Sequence, residues 1–209
     1  MKFHHLFPLA TIFITVLIGI TLYPYLPDVL ATHWGISGEV NGYSSKAFAL
    51  FFMPGMSLAL YFIFLFLPKI DPYQKNFAEF DQYYYLFVNI IFAFLFYIHL
   101  LTIFWDLGSR FNMIQAMSPA LAVLYYYAGV LLKNTHRNWF VGIRTPWTMS
   151  NETVWKKTHE VGSNLFQIAG LLALFALFLP QLALYLVLAP VLLIVIFVFV
   201  YSYYLYRQL

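Results

Sequence analysis

"LALYLVLAPVLLIVIFVFVYSYYLY", residues 182–206, decides the fold. The stretch carries no charged side chain, and its Leu, Val, Ile, Ala, Phe and Tyr are interrupted only by Pro190 and Ser202. A helix of about 20 mostly apolar residues crosses the hydrocarbon layer of a bilayer. The run shows no alternation of apolar and polar positions, so it does not read as a strand of a membrane barrel. Working outward from it, five more segments read the same way: 6–23, 47–67, 84–105, 115–132 and 165–179. Segment 165–179 is short, and "LPQL" around Pro180 marks a tight turn into the last span. The expected fold is all-α, a single integral membrane domain over 1–209. It is a polytopic six-helix transmembrane bundle with three helices on each side of the loop at 105–114.

Composition supports lipid as the main solvent. Of the 209 residues 63% are hydrophobic and 9% charged, and mean hydropathy is +0.78. A soluble domain is charged at roughly a quarter of its positions. Cysteine is absent, which excludes disulfides, thiolate nucleophiles and Cys-based metal sites. The start of the chain, "MKFHHLFPLATIFITVLIGITLYPYLP", resembles a signal peptide. Its apolar run, however, exceeds the ~7–15 residues of a secretory core and lacks an A-x-A site, so it reads as a retained signal-anchor helix.

Lys and Arg set the expected orientation. With the N-terminus inside, the cytoplasmic face holds Lys2, Lys69, Lys75, Lys133, Arg137, Arg144, Lys156, Lys157 and Arg207. The outer face holds only Lys46 and Arg110. A plasma-membrane protein with both termini cytoplasmic follows.

Two loops exceed the length of a connector. The outer one, 25–46, reads "YLPDVLATHWGISGEVNGYSSK", and the cytoplasmic one, 133–163, reads "KNTHRNWFVGIRTPWTMSNETVWKKTHEVGS". The shorter cytoplasmic loop at 68–83 carries Pro68 and Pro72, which should break the chain after the second helix.

In the cytoplasmic loop, Ser150 is placed to cap a helix, and Glu152 in its first turn suits the positive end of the helix dipole. Val154, Trp155, Thr158, Val161, Gly162 and Leu165 then fall on one face, with Lys156, Lys157, Glu160 and Ser163 on the other. This predicts an amphipathic helix in the membrane interface before the fifth span. Trp139, Trp147 and Trp155 suit a headgroup-level aromatic belt. Thr145 precedes Pro146 and is biased to extended backbone. The Arg144 guanidinium is open to a lipid phosphate, to Glu152 or Glu160, or to the last carbonyls of a helix. Plain snorkelling to the inner leaflet is the simpler reading.

In the outer loop, Gly35, Gly38, Asn41 and Gly42 supply tight turns and predict a compact, folded segment. His33, with Asp28 and Glu39, offers metal-ligand types, but the spacing fits no metal motif. Hydrogen bonding within the loop is the expected role of His33. Within the third span, Asn89 and His99 are intramembrane polar residues for which interhelical hydrogen bonding and proton relay are both open. No G-x-S-x-G, H-E-x-x-H or P-loop occurs, so catalysis and a cofactor are not expected. The basic charge is too thin, and too close to lipid, for direct nucleic-acid binding.

"NWFVGIRTPWTMSNETVWKKTHEVGSNLF", residues 138–166, closely resembles the signature of the SdpI family of six-helix bacterial membrane proteins. "LPDVLATHWGISGEVNGYSSKAFALFFMPGMSLAL" separately resembles the N-terminal domain of unknown function common in that family, matching at Leu26, Pro27, His33, Gly38, Gly42 and Pro54. The resemblance implies a non-enzymatic membrane immunity protein that protects against a secreted peptide toxin. It also implies a signalling receptor that holds a transcriptional repressor at the membrane. The matched motif positions are Asn138, Gly142, Arg144, Thr145, Pro146, Trp147, Thr148, Glu152, Trp155 and His159, expected to bind a partner or membrane lipid. The outer loop, with His33, Trp34, Gly38 and Gly42, is expected to meet the peptide. The alternative is a transporter or membrane enzyme for small molecules or lipids that uses Arg144 with His33 or His159.

Overall fold

The structure, a computed structural model, describes residues 3–36 and 38–209. Lys2, counted above among the cytoplasmic charges, lies outside the described residues. Helix α1 (Phe3–Leu22) leads into a hairpin of β1 (Val29–Trp34) and β2 (Val40–Ser45). Then come α2 (Lys46–Ile70), the short α3 (Gln74–Ala78), α4 (Asp81–Asp106) and α5 (Met113–Asn134). The chain ends with the short α6 (Pro146–Ser150), α7 (Glu152–Phe175), a 3₁₀ turn at Pro180–Leu182 and α8 (Ala183–Arg207). The chain is an all-α, multi-pass membrane bundle whose long helices run back and forth between two ends.

Five of these helices, α1, α2, α4, α5 and α8, are long and apolar enough to cross a membrane by length and composition. The sixth expected span is not an independent apolar helix. The amphipathic stretch and segment 165–179 merge into the 24-residue α7, with no break between them. Its apolar part, from Leu165 to Phe175, covers only about 17 Å at 1.5 Å per residue. It nonetheless runs from end to end of the bundle. Near its start Trp155 Nε1 donates to the Thr135 carbonyl after α5, and beyond its end the Leu177 carbonyl accepts from Gln115 at the start of α5. The polar half of α7 is two-faced: Thr158, His159 and Ser163 are buried along with Val154, Trp155 and Gly162, whereas Lys156, Lys157 and Glu160 are exposed. Ser163, placed by sequence on the wet face, therefore faces inward. The pairing of α5 with α7 is close, since a Cβ at Gly129 would lie 2.5 Å from the Ser163 carbonyl oxygen and one at Gly170 2.7 Å from that of Ala122. Small residues allow such backbone approach between membrane helices.

Three local features differ from the sequence reading. Helix α2 runs through Pro68 to Ile70, and the break falls at Asp71 and Pro72. Pro68 has no N–H for the carbonyl four residues back. That carbonyl, of Phe64, instead accepts from the Tyr84 hydroxyl at 2.7 Å and so bonds α2 to α4. The cap of α7 is Asn151, whose side chain accepts from the amides of Thr153 and Val154; Ser150 instead ends α6. The outer loop is a β-hairpin, antiparallel from Val29↔Ser45 to Trp34↔Val40, with register shifts around His33.

Candidate functional site

One end of the bundle gathers the long motif loop, the α2–α3 turn and the C-terminus of α8. Asn138 is fully buried and organises the loop from inside. Its Nδ2 donates to the carbonyls of His136 and Val141, both at 2.8 Å. Its Oδ1 accepts from the amides of Phe140 and Val141, at 2.9 and 2.7 Å. Asp71, also buried, ties this loop to the α2–α3 turn. Its two oxygens accept from the amides of Tyr73 (2.7 Å) and Trp139 (2.9 Å). Asn76 adds a bond to the Arg137 carbonyl at 2.8 Å. Sequence reasoning missed Asp71 and Asn76, although an Asp ahead of a proline is a turn-forming pattern.

Gly142 and His159 meet at the centre of the loop. Gly142 has φ +119°, and a Cβ there would lie 2.4 Å from His159 Nε2, so both conformation and space require glycine. His159 is almost fully buried and its ring stacks on Trp155 with centroids 3.9 Å apart. The Ile143 amide donates to His159 Nε2 at 2.9 Å, which leaves that nitrogen without a proton. His159 Nδ1 lies 2.8 Å from the Trp155 carbonyl, which can only accept, so Nδ1 carries the hydrogen. Burial pushes the imidazole pKa down to about 4, with the Trp155 carbonyl opposing the shift. His159, which lies before the apolar part of α7, is thus a neutral strut holding the motif loop.

Thr145 is extended, as its place before Pro146 predicts, and caps α6 with Pro146 in the first turn. Its hydroxyl accepts from the Thr148 amide at 3.2 Å and donates to Ser202 Oγ at 3.0 Å, joining the loop to α8. Thr148 is fully buried; its hydroxyl accepts from the Thr145 amide at 2.9 Å and donates to the Ile143 carbonyl at 2.7 Å. Trp147 packs on Phe199 and Tyr203 of α8, with ring centroids 5.1 and 5.0 Å away. Trp139 is half exposed, as a belt residue would be, whereas Trp155 is a core residue.

Arg144 is exposed, and its guanidinium donates to the Trp139 carbonyl, a loop carbonyl rather than a helix end. Neither expected carboxylate partner is used. Glu152 lies 3.6 Å from Arg137 instead, and Arg137 also sits over the Tyr73 ring. Behind the loop lies an apolar cavity of about 470 Å³, walled by α2, α4, α5, α7 and α8 and closed by residues 140–143 and Thr145.

The opposite end carries the hairpin. Asp106 Oδ1, at the end of α4, accepts from the Ala31 amide at 2.9 Å. Lys46 donates to the Leu26 carbonyl and pairs with Asp28 at 3.2 Å. His33 Nδ1 lies 2.5 Å from Asn41 Oδ1, a hydrogen bond within the hairpin. Among the described residues no three His, Cys, Asp or Glu side chains converge for a metal, so His33, Asp28 and Glu39 do not form a shared site. Gly42 faces His33 across the strands. Gly38 takes φ +82° against Asn112, which caps α5. Trp34 packs edge-on to Trp105, and its Nε1 is buried with no partner among the described residues. Between hairpin and helices lies a cleft of about 1100 Å³ whose walls include His33, Trp34, Met53, Ile98, Met113 and Met117. Deeper in α4, His99 is buried and its Nε2 has no partner among the described residues, so that atom makes no interhelical bond. The same holds for Asn89 Oδ1.

The two regions fall on two family matches. Residues 134–202 match the model of the SdpI/YfhL protein family, and residues 10–58 match that of a domain of unknown function, DUF1648. The immunity protein SdpI of Bacillus subtilis (strain 168) is 26% identical over 194 residues, 92% of this chain and 91% of that protein. No solved structure matches the chain.

Proposed function

We propose that this chain, matched over residues 134–202 by the SdpI/YfhL family model and over 10–58 by DUF1648, is a membrane immunity protein that protects its host against a secreted antimicrobial peptide. It acts without catalysis, as one integral membrane unit over 1–209, with both termini and the motif loop in the cytoplasm. The hairpin then faces outward. The peptide is met there, at the surface that includes His33, Trp34, Gly38 and Gly42. The motif loop, with Arg144 exposed on it, is the face that would hold a transcriptional repressor.

One observation carries this reading: the cleft of about 1100 Å³ between the hairpin and the helices. Met53, Met113 and Met117 give it adaptable apolar walls, and methionine-rich surfaces suit varied hydrophobic partners. The buried Trp34 N–H supplies a donor with no partner among the described residues, for which a peptide carbonyl is a fitting acceptor. A membrane-active peptide offers both features.

The test uses a Bacillus subtilis strain that lacks its immunity protein SdpI and is exposed to the secreted peptide toxin to which that loss makes it sensitive. Wild-type chain should restore growth, and Met117→Trp, which fills the cleft, should not, at equal membrane levels. Failure of the wild type to protect, or full protection by Met117→Trp, would count against the reading.

A further inference from the structure

We propose that the cavity behind the motif loop, together with Arg144, is a binding site for an anionic phospholipid. One acyl chain lies in the cavity and the phosphate lies on the Arg144 guanidinium.

The lining is apolar, and its two polar side chains are already committed. Tyr84 donates to the Phe64 carbonyl, and Thr145 to Ser202. No side chain inside the cavity is left to bond a polar occupant, and hydrocarbon is favoured. The wall formed by α8 includes Val195 and Phe199, each more than half exposed, so the cavity reaches the surface that faces lipid. Along α8 the lining runs from Val195 to Phe199, about 18 and 12 Å from the helix end at Arg207, at 1.5 Å per residue.

The rim supplies the charge. Arg144 sits in the chain between Ile143 and Thr145, both of which line the cavity. Its guanidinium rests on the carbonyl of Trp139, the neighbour of the lining residue Phe140. One N–H of five is used there, and the remainder of the fork suits a phosphate. Trp147, packed edge-on to the lining residue Phe199, stands at the same rim as a headgroup-level aromatic would. An apolar cavity open to the lipid-facing surface, with a cation at its rim, selects an amphiphile with an anionic head.

The test is native mass spectrometry of the full chain released from nanodiscs made of equal phosphatidylglycerol and phosphatidylcholine. Wild type should retain phosphatidylglycerol over phosphatidylcholine by about 10-fold, the range expected for a charge-assisted hydrogen-bond pair. Arg144→Ala should bring the ratio near one while lipid is still retained. Val195→Trp, made on an exposed helix face and so tolerated by the fold, should reduce retention of both lipids. Equal preference in wild type and Arg144→Ala overturns the proposal, as does undiminished retention in Val195→Trp. Soluble glycerophosphate provides the third arm. If it raises the melting temperature as much as phosphatidylglycerol does, the site is one for free phosphate and the lipid assignment fails.

Discussion

Gly142→Ala tests the centre of the motif loop, and its magnitude follows from the geometry. The residue has φ +119°, outside the comfortable range of an L side chain, and holding alanine there costs about 1–3 kcal/mol. The new Cβ would stand 2.4 Å from His159 Nε2 and 3.2 Å from Trp155 Cη2. Neither ring can retreat easily, because Trp155 is buried and the two are stacked on each other. If His159 is displaced, the Ile143 amide loses its acceptor, at a further ~1–3 kcal/mol for a buried unpaired group. The expected destabilisation is therefore about 3 kcal/mol or more, measured by equilibrium unfolding in mixed micelles.

A double-mutant cycle separates the two parts. In a His159→Ala background the 2.4 Å conflict and the Ile143 bond are already gone, so Gly142→Ala should cost only its backbone strain and the milder approach to Trp155. The coupling between the two positions should be about 1–3 kcal/mol. Equal costs in both backgrounds would refute the contact argument, and a Gly142→Ala protein within ~0.5 kcal/mol of wild type would refute both parts.

Three more outcomes are expected. His159 has a folded pKa near 4 against an ordinary 6.5, so its contribution is complete above about 6.5 and is lost as pH falls from there toward 4, by ~3 kcal/mol in all; a pH titration of stability that is equally steep in wild type and His159→Ala would remove His159 as the cause. Asp106→Ala frees the Ala31 amide, so hydrogen exchange in residues 29–34 and 40–45 should quicken by about 10-fold while α5 and α7 stay protected, and unchanged hairpin exchange would show that Asp106 is no tether. Thr145→Val removes both the α6 cap and the link to Ser202 and should cost about 1–2 kcal/mol in the same unfolding assay, whereas Thr145→Ser should stay near wild type; equal losses for Val and Ser would place the effect in packing rather than in the hydroxyl.

The spans were legible because lipid imposes a compositional rule on every residue that faces it. The stretch at 182–206 obeys it throughout. Helix α7 was harder, since one face of residues 152–163 meets protein instead of lipid, and protein accepts Thr158, His159 and Ser163 where lipid would not. The hairpin was invisible for a different reason. Its strands, VLATHW and VNGYSS, carry little alternation, and their tether, Asp106, lies 75 residues beyond Ala31. Partners were the least legible feature. Glu152 is near in sequence to both Arg137 and Arg144, and spacing alone could not show that Arg137 takes it.

The signature residues divide by what their side chains do, and the division bears on where a partner can be met. Asn138, Thr145, Thr148, Trp155 and His159 are buried, and each is held by bonds within the protein. Gly142 is fixed by its backbone and by the ring beside it. These positions explain a long shared motif without any ligand, because altering any of them disturbs the loop itself. Arg144, Pro146 and Glu152 are the exposed members. Pro146 opens α6, Glu152 faces Arg137, and the half-buried Trp147 packs on Phe199 and Tyr203 of α8. That leaves Arg144, whose guanidinium bonds only one loop carbonyl among the described residues. A charge held in place by so many buried neighbours, yet so little used by the fold, is the part of the motif available to something outside the chain.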